Sequence, residues 1–278
     1  MAPFQGRYGI MRRECDEMPR KYKTAQSVLI TGASSGIGAA LAEACAGRGV
    51  RNLFLCGRDS SRLVEVARRC RGPGCAVAAR QVDVTDERAM RDWIGECDET
   101  APLELVFANA GIATGAETGE NVRRTFATNV GGCLNTVLPA VDVFRRRHGG
   151  AERRQIVITS SIAGYAPLST CPAYAAAKAA VKSWGLSLRG MLKREGISVS
   201  VVCPGFVRSR ITSVNTCPMP FFMEADRAAC IILDRVDRNA GLISFPWPMR
   251  FGAWALSVLP WRAAEFMAGL LPDKTSGR

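Results

Sequence analysis

The stretch SVLITGASSGIGAALAEA, residues 27–44, decides the fold. Its first part, Ser27–Thr31, is short and mostly apolar, as in a strand that is buried on both faces. A glycine-rich turn follows, and a helix is expected from about Ile37 to Ala46. Glycines at a strand-to-helix turn let the backbone approach a ligand closely, and the unpaired N–H groups at the start of the helix favour an anion. The stretch therefore predicts a phosphate-binding turn. Its residues are Gly32, Ser34, Ser35, Gly36, Ile37 and Gly38.

Short apolar runs alternate with longer amphipathic segments along the rest of the chain. Further strands are predicted at Asn52–Cys56, Ala76–Arg80, Leu105–Ala108, Gln155–Thr159 and Ser198–Cys203. Further helices are predicted at about 60–70, 86–97, 121–146 and 174–194. Because nearly continuous apolar strands alternate with helices, the pattern indicates a parallel sheet with helices on both faces. We therefore predict a single α/β domain, a doubly wound parallel sheet of the Rossmann-like kind.

Composition divides the chain into three regions. Residues 1–26 lack an apolar run and are expected to be a mobile basic arm. Residues 27–245 hold the predicted domain, with a substrate lid at about 207–230 whose Phe and Met content suits an apolar substrate or core packing equally well. Residues 246–278 are an apolar C-terminal extension. Its part 246–271 either packs against the domain or another subunit, which we favour, or makes a peripheral contact with a membrane.

The composition also argues against several classes of protein. The formal net charge is +12, but the arginines are scattered and aromatic residues do not interleave with them, which argues against a nucleic-acid partner. The 11 cysteines form no CxxC pair, and the one histidine is His148. We therefore expect no metal site and no Ser–His–Asp hydrolase. An odd number of cysteines without a signal-peptide pattern favours reduced thiols in the cytoplasm, with membrane association as the alternative.

The end of the second predicted strand indicates the cofactor. An acidic residue there would bind the ribose 2′-hydroxyl of NAD. The sequence has Gly57-Arg58 instead, and a guanidinium pairs well with the 2′-phosphate of NADP. We therefore expect NADP(H), with NAD(H) as the alternative. A solvated surface arginine is the other interpretation of Arg58.

Tyr174 and Lys178 are the candidate acid–base pair. Their spacing of four places both on one face of a helix. A free phenol titrates near pH ~10, and a neighbouring ammonium, like the positive nicotinamide, is expected to lower the pKa of Tyr174. Tyr174 would then protonate a carbonyl oxygen as hydride arrives, or deprotonate an alcohol in the reverse direction.

Taken in order, the motifs resemble those of the short-chain dehydrogenase/reductase family, in its shorter single-domain branch. The matching pieces are the Thr31–Gly38 turn, Asp83-Val84, Asn109-Ala110-Gly111, Asn129, Ser161, Tyr174-Ala-Ala-Ala-Lys178 and Pro204-Gly205. They cover about Ser27 to Val207, and the one departure is Ala108, where the family often has asparagine. The resemblance implies an oxidoreductase that moves a hydride between nicotinamide and a carbonyl or alcohol, in a homodimer or homotetramer.

The resemblance also implies roles for individual residues. Lys178 hydrogen-bonds the nicotinamide ribose, Ser161 orients the substrate oxygen, and Asn129 holds a water that links Lys178 to solvent. The catalytic set is Asn129, Ser161, Tyr174 and Lys178. The cofactor-binding set adds to the turn and Arg58 the residues Asp83 and Val84 at the adenine end, Asn109, Ala110 and Gly111 at the floor, Tyr174 and Lys178, and Pro204, Gly205 and Val207 near the nicotinamide.

Two other functions stay open at this point. A dinucleotide-binding sensor or scaffold with little turnover would need the phosphate turn but no proton donor. A sugar epimerase or dehydratase also uses a Tyr–Lys pair, but such enzymes resemble longer chains with a second substrate lobe. The intact set of Ser161, Tyr174 and Lys178 favours the oxidoreductase.

Overall fold

The computed structural model describes residues 24–147, 153–213, 219–260, 262, 263 and 266. Most of the predicted basic arm, the centre of the predicted lid, His148 and most of the chain beyond residue 260 therefore lie outside the described residues. Seven strands form one sheet: β1 (Ser27–Thr31), β2 (Asn52–Gly57), β3 (Ala76–Gln81), β4 (Leu105–Ala108), β5 (Gln155–Thr159), β6 (Ser198–Pro204) and β7 (Leu242–Phe245). All neighbouring strands run parallel, in the order β3-β2-β1-β4-β5-β6-β7.

Helices connect the strands and cover both faces of the sheet. They are α1 (Gly36–Gly47), α2 (Ser60–Cys70), α3 (Glu87–Thr100), α4 (Gly119–Phe126), α5 (Gly132–Arg146), α6 (Pro172–Leu192), α7 (Arg210–Ser213), α8 (Ala225–Asp237) and α9 (Trp247–Val258). A π-helical turn, Ala127–Gly131, joins α4 to α5, and short 3₁₀ turns lie at Ile162–Gly164 and Lys193–Glu195. None of the described helices is long and apolar enough to cross a lipid bilayer.

Two apolar clusters, one on each face of the sheet, form the core. Val28 and Ile30 of β1 pack in the first cluster with side chains of α1, α2 and α8. Leu29 points the other way and packs in the second cluster with side chains of α3, α5 and α6. This alternation is the two-residue period of a strand, and burial on both faces explains why β1 is apolar throughout. The predicted α/β, doubly wound parallel sheet is confirmed.

The strand order places the binding crevice. Consecutive strands run outward from β1 to β3 on one side, and the chain then returns to place β4 on the other side of β1. The connections after β1 and β4 therefore leave the sheet in opposite directions, and a crevice opens between them at the carboxyl ends of the strands. The phosphate turn follows β1 and the Asn109 segment follows β4, so both lie at this crevice.

The structure differs from the sequence prediction in its connections. The stretch 121–146, predicted as one helix, is α4, the π-helical turn and α5. Strand β7 and helix α8 were not predicted. Because Ala228 and Ala229 of α8 are fully buried in the core, the last residues of the predicted lid at 207–230 belong to a packed helix.

Ion pairs hold α8 against the rest of the domain. Arg48, directly after α1, bonds Asp234 at 2.7 Å and Asp237 at 3.1 Å. Arg153, before β5, bonds the other oxygen of Asp237 at 2.8 Å. Asp237 is buried and is shared between these two guanidinium groups. It therefore ties α8 both to the end of α1 and to the segment before β5.

Candidate active site

The phosphate turn is built from glycines that cannot carry a side chain. Gly32 has φ +66°, and a Cβ added to it would lie 2.8 Å from the Ala110 Cα. A Cβ on Gly38 would lie 2.3 Å from the Gly32 carbonyl oxygen and 2.6 Å from the Asn109 side-chain nitrogen. Glycine at positions 32 and 38 therefore lets the ends of β1 and β4 approach more closely than a residue with a side chain would allow.

The start of α1 presents unpaired donors to the crevice. Ser35 precedes the helix in an extended conformation, and its side chain makes no capping hydrogen bond. The first turn of α1 contains no acidic residue. The N–H groups of this turn have no partner inside the helix, and they lie at the positive end of its dipole. Free N–H groups at the start of a helix, next to a turn of small residues, fit the pyrophosphate of a dinucleotide.

Ser34 and Arg58 lie together at the carboxyl end of β2. The Ser34 hydroxyl lies 3.3 Å from the Cβ position of Gly57, the residue before Arg58. Arg58 is exposed, and its guanidinium has no hydrogen-bond or ion-pair partner among the described residues. The Arg58 carbonyl accepts a hydrogen bond from the Gln81 side chain at 3.0 Å, which fixes the backbone there. A charged donor is thus available at the carboxyl end of β2.

Asp83 and Val84 follow β3 on the same edge of the sheet. One oxygen of the Asp83 carboxylate accepts hydrogen bonds from the Thr85 N–H at 3.0 Å and the Thr85 hydroxyl at 2.9 Å. The Val84 carbonyl accepts a bond from Asn135, and Gly132 packs tightly against the Val84 side chain. Helix α5 therefore sets the position of Val84, and the Thr85 contacts set that of the Asp83 carboxylate.

The floor of the crevice is fixed by Thr31. The Thr31 hydroxyl accepts hydrogen bonds from the N–H groups of Asn109 at 3.0 Å and Ala110 at 3.1 Å. It also donates to the Phe107 carbonyl at 3.1 Å, and the Thr31 carbonyl accepts from the Asn109 amide. Thr159 of β5 donates to the same Asn109 side chain at 3.3 Å. Three adjacent strands are joined in this way, and neither threonine was among the predicted site residues.

Asn129 and Lys178 converge on Gly111. A Cβ on Gly111 would lie 3.1 Å from the Asn129 Oδ1 and 3.2 Å from the Lys178 Nζ. Asn129 lies in the π-helical turn, and its amide group is bonded to both backbone groups of Ile112, at 2.8 and 2.9 Å. A π-helical turn shifts side chains relative to a regular helix and is common at functional sites. Here it carries the Asn129 amide to the end of β4.

Lys178 is buried and is held by the backbone of β5. Its Nζ donates to the Thr159 carbonyl at 2.9 Å. The Ser160 hydroxyl donates to the Lys178 carbonyl at 2.6 Å. Gly164 approaches so closely that a Cβ there would lie 2.7 Å from the Lys178 carbonyl carbon. The segment after β5, which includes Ser161, is therefore packed directly against α6.

Ser161 and Tyr174 are brought together by this packing. Tyr174 lies one turn before Lys178 on α6, and the Lys178 Nζ is 5.8 Å from the centre of its ring. Ser161 is buried, hydrogen-bonds the Tyr174 hydroxyl, and accepts a bond from the Ala163 N–H at 3.1 Å. The predicted set of Asn129, Ser161, Tyr174 and Lys178 thus lies at one place, at the carboxyl ends of β4 and β5.

The protonation of the pair differs from the sequence expectation. Burial raises the pKa of Tyr174 to about 12, although the Ser161 hydrogen bond acts in the opposite direction. In the protein alone, the cost of desolvating a phenolate thus outweighs the expected lowering of the Tyr174 pKa by Lys178. Burial also lowers the pKa of Lys178 to about 8. At neutral pH the phenol is protonated and most of the lysine is charged.

Pro204, Gly205 and Val207 form the wall at the end of β6. A Cβ on Gly205 would lie 2.9 Å from the Met249 sulfur and 3.5 Å from Ile162, so α9 lies against this wall. Val207 is buried and pairs with Met223 in a single parallel bridge.

Comparisons with known proteins agree with this geometry. The sequence pattern of the family described as short chain dehydrogenase matches residues 26–217. An uncharacterized oxidoreductase of Myxococcus xanthus is 37% identical over 247 residues, which are 86% of this chain and 93% of that protein.

Solved structures share the fold over most of the chain. A short-chain dehydrogenase from Sphingobium yanoikuyae in complex with NADPH is 30% identical, with a TM-score of 0.72 over 88% of this chain and 96% of that one. A short chain dehydrogenase/reductase from Burkholderia phymatum in complex with NAD has a TM-score of 0.75 over the same shares at 22% identity. By the extent of the family match and these identities, the chain belongs to the short-chain dehydrogenase family and is a nucleotide-binding oxidoreductase with a Rossmann-like fold.

Proposed function

We propose that this protein is an NADP(H)-dependent oxidoreductase that transfers a hydride between nicotinamide and a carbonyl or alcohol. The observation that carries the proposal is the convergence of Asn129 and Lys178 on Gly111, with Ser161 and Tyr174 beside them. A sensor or scaffold would need the phosphate turn alone. It would gain nothing from a phenol and an ammonium buried at the cost of desolvating the charged form of each.

The four side chains divide the work of proton transfer. The bound nicotinamide supplies or accepts the hydride at the substrate carbon. In the reducing direction, Tyr174 donates its hydroxyl proton to the substrate oxygen, and Ser161 orients that oxygen by a hydrogen bond. The charge of Lys178 stabilises the phenolate that remains. Asn129 fixes the backbone of Ile112 beside Lys178, and we place there the water through which the proton is replaced from solvent.

The dinucleotide is held from one end of the crevice to the other. We assign its pyrophosphate to the start of α1, its adenosine to Asp83 and Val84, and its nicotinamide to Pro204, Gly205 and Val207. The segment of Asn109 to Gly111 forms the floor beneath it. Arg58 and Ser34 bind the 2′-phosphate, which supports NADP(H) over NAD(H). The Sphingobium relative in complex with NADPH is consistent with this preference.

Replacement of Arg58 tests the cofactor preference. Arg58→Ala is expected to raise the Kd for NADPH about tenfold, because a charge-assisted hydrogen bond is worth about 1.5–3 kcal/mol and an exposed one falls at the lower end. The Kd for NADH should change little, as measured by quenching of intrinsic fluorescence. The control is Arg71→Ala, which removes another exposed arginine. Arg71 lies shortly before β3, at the amino ends of the strands, whereas Arg58 lies at the carboxyl end of β2. Tighter binding of NADH than NADPH by the wild-type protein would overturn the preference.

Activity should fall at high pH because Lys178 loses its charge. Its pKa is lowered to about 8, so the ammonium is present below that pH and is lost as the pH rises through it. Tyr174, with a pKa of about 12, stays protonated over the same range. We expect kcat for carbonyl reduction to decline above about pH 8 and to persist to higher pH in Lys178→Arg, whose guanidinium stays charged. A kcat that is constant to about pH 10 would exclude this role of Lys178.

A panel of carbonyl compounds tests the reaction itself. The wild-type protein should oxidise NADPH, followed by absorbance, in the presence of at least one class of aldehyde, ketone or quinone. We favour apolar substrates, because Phe221 and Phe222 are exposed on the segment that borders the site. Tight NADPH binding without oxidation by any compound would favour the sensor.

Self-association through the long helices is also part of the proposal. Leu138 on α5 and Met191 on α6 are apolar side chains, exposed by 50% and 59%. Burial of these helix faces between two copies would give the expected dimer or tetramer. Light scattering of the purified protein measures this directly.

A further inference from the structure

Helix α9 has an aromatic face that points away from the domain. Its outward residues are spaced three and four apart, so they form one stripe along the helix. They are Trp247, Phe251, Trp254 and Val258, exposed by 77%, 61%, 50% and 60%. The rings of Phe251 and Trp254 touch, with their centres 5.8 Å apart. Met249, on another side of α9, contacts Gly205, so the stripe is not the part of the helix that packs on the domain.

The opposite face of α9 packs on the active-site wall. Met249 lies against Gly205, and the helix also contacts the turn at Ile162–Gly164, directly after Ser161. If α9 were apolar on its inward face alone, packing on the domain would account for all of its apolar side chains. Apolar side chains on the outward face instead indicate a second partner.

The charge around the stripe is positive. Arg250 lies on α9 beside the stripe and is exposed, and Arg262 follows the helix and is exposed as well. From residue 238 to residue 264 the sequence contains three arginines and no acidic residue, in a chain of net charge +12. Three of the five tryptophans, at positions 247, 254 and 261, fall in the same region.

We propose that α9 docks this protein on the surface of an anionic lipid membrane. Tryptophan and phenylalanine on one face of a surface helix, with arginine at its edge, are the combination that binds the boundary between lipid headgroups and acyl chains. Anionic headgroups attract arginines near such a helix, so the charge and the apolar face act together.

A second copy of the chain fits this face less well. An aromatic side chain buries roughly 150–250 Å² at most, so the half-exposed stripe offers about 500 Å². Stable protein–protein interfaces bury about 800 Å² on each partner. In a symmetric pair, the two copies would also bring their Arg250 side chains to the same interface, where like charges repel.

Docking would orient the catalytic site. Since the inner face of α9 lies on the wall of Gly205 and Ile162, the membrane would adjoin the substrate end of the crevice. This consequence rests on the proposed function, but the docking itself does not. The experiment below measures lipid binding without turnover, so it can fail while the proposed function stands.

Vesicle flotation of the full chain tests the proposal. We expect the wild-type protein to float with vesicles of phosphatidylcholine and phosphatidylglycerol, and at least tenfold less with phosphatidylcholine alone. The triple variant Trp247→Ser, Phe251→Ser and Trp254→Ser should lose at least tenfold in binding. The variant Val64→Ser removes an exposed apolar side chain on α2 and should bind as the wild type does.

A charge-matched pair isolates the role of Arg250. Arg250→Glu should weaken binding to the anionic vesicles several-fold more than Arg88→Glu, which makes the same change of charge at an exposed site on α3. NADPH affinity and the thermal unfolding temperature, measured for every variant, show that the fold is intact.

Three results would overturn the proposal. The first is a wild-type protein that does not float with anionic vesicles, and the second is a triple variant that floats as well as the wild type. The third is a concentration-dependent dimer, seen by light scattering, that the triple mutation dissociates while vesicle binding is absent. That result would assign the stripe to a second copy of the chain.

Discussion

Tyr174→Phe is expected to lower kcat for NADPH-dependent carbonyl reduction by a factor of about 10³, the middle of the range for loss of a general acid. The phenylalanine keeps the ring and its packing but has no proton to donate to the substrate oxygen. NADPH affinity should stay within about threefold of the wild type, since the hydroxyl faces the substrate in our account. The split between kcat and cofactor affinity is the informative result.

Tyr165→Phe is the matched control for this prediction. Tyr165 packs against Lys182 of α6, whose Nζ is 3.8 Å from the centre of the tyrosine ring. It thus forms another tyrosine–lysine contact of the protein, but it follows the 3₁₀ turn and takes no part in our mechanism. Steady-state kinetics should show a kcat near that of the wild type for this variant. Comparable losses in both variants would mean that the phenol of Tyr174 is not the proton donor.

Gly38→Ala is expected to weaken NADPH binding on the order of 100-fold and to destabilise the fold by about 1–3 kcal/mol. The added Cβ would lie 2.3 Å from the Gly32 carbonyl oxygen, so the backbone of the turn must move. Movement of the turn displaces the N–H groups at the start of α1 from the pyrophosphate position. Isothermal titration with NADPH and chemical unfolding measure the two effects.

Gly95→Ala separates the close approach from a general effect of glycine. Gly95 lies within α3, and a Cβ there would meet no atom within 4 Å. Alanine at such a position should stabilise the protein by about 0.5–1 kcal/mol and leave NADPH binding unchanged. Wild-type affinity in Gly38→Ala would show that the turn does not bind the pyrophosphate.

The central part of the sheet could be predicted from sequence because its strands are apolar on both faces. Ser27–Thr31 and Gln155–Thr159 match the observed strands, since short apolar runs rich in Val, Ile and Thr and bounded by glycine or polar residues are typical of strands. β7 has only four residues, of which Leu242 is exposed, and so gives no such run. The π-helical turn at Ala127–Gly131 was missed because no residue type marks it, and a single wide turn shifts the apolar pattern by too little to break a predicted helix.

The chemistry of the site could be predicted, but not the contacts that set it. The spacing of Tyr174 and Lys178 fixes their shared face, whatever the tertiary structure. The roles of Thr31 and Thr159 depend on which strands are neighbours, which the sequence does not state. The raised pKa of Tyr174 depends on burial, which the spacing cannot reveal. Likewise α9 is apolar on both faces, so only the structure shows that Met249 points inward and the tryptophans outward.

Transfer of deuterium tests the central claim most directly. The wild-type protein is incubated with NADPH deuterated at both C4 positions and with the carbonyl compound that it reduces fastest, and the alcohol is analysed by mass spectrometry. We predict one deuterium on the carbon that carried the carbonyl group and no such product with Tyr174→Phe on the same timescale. Binding of NADPH without deuterium in any product, or equal labelling by Tyr174→Phe, would contradict the account.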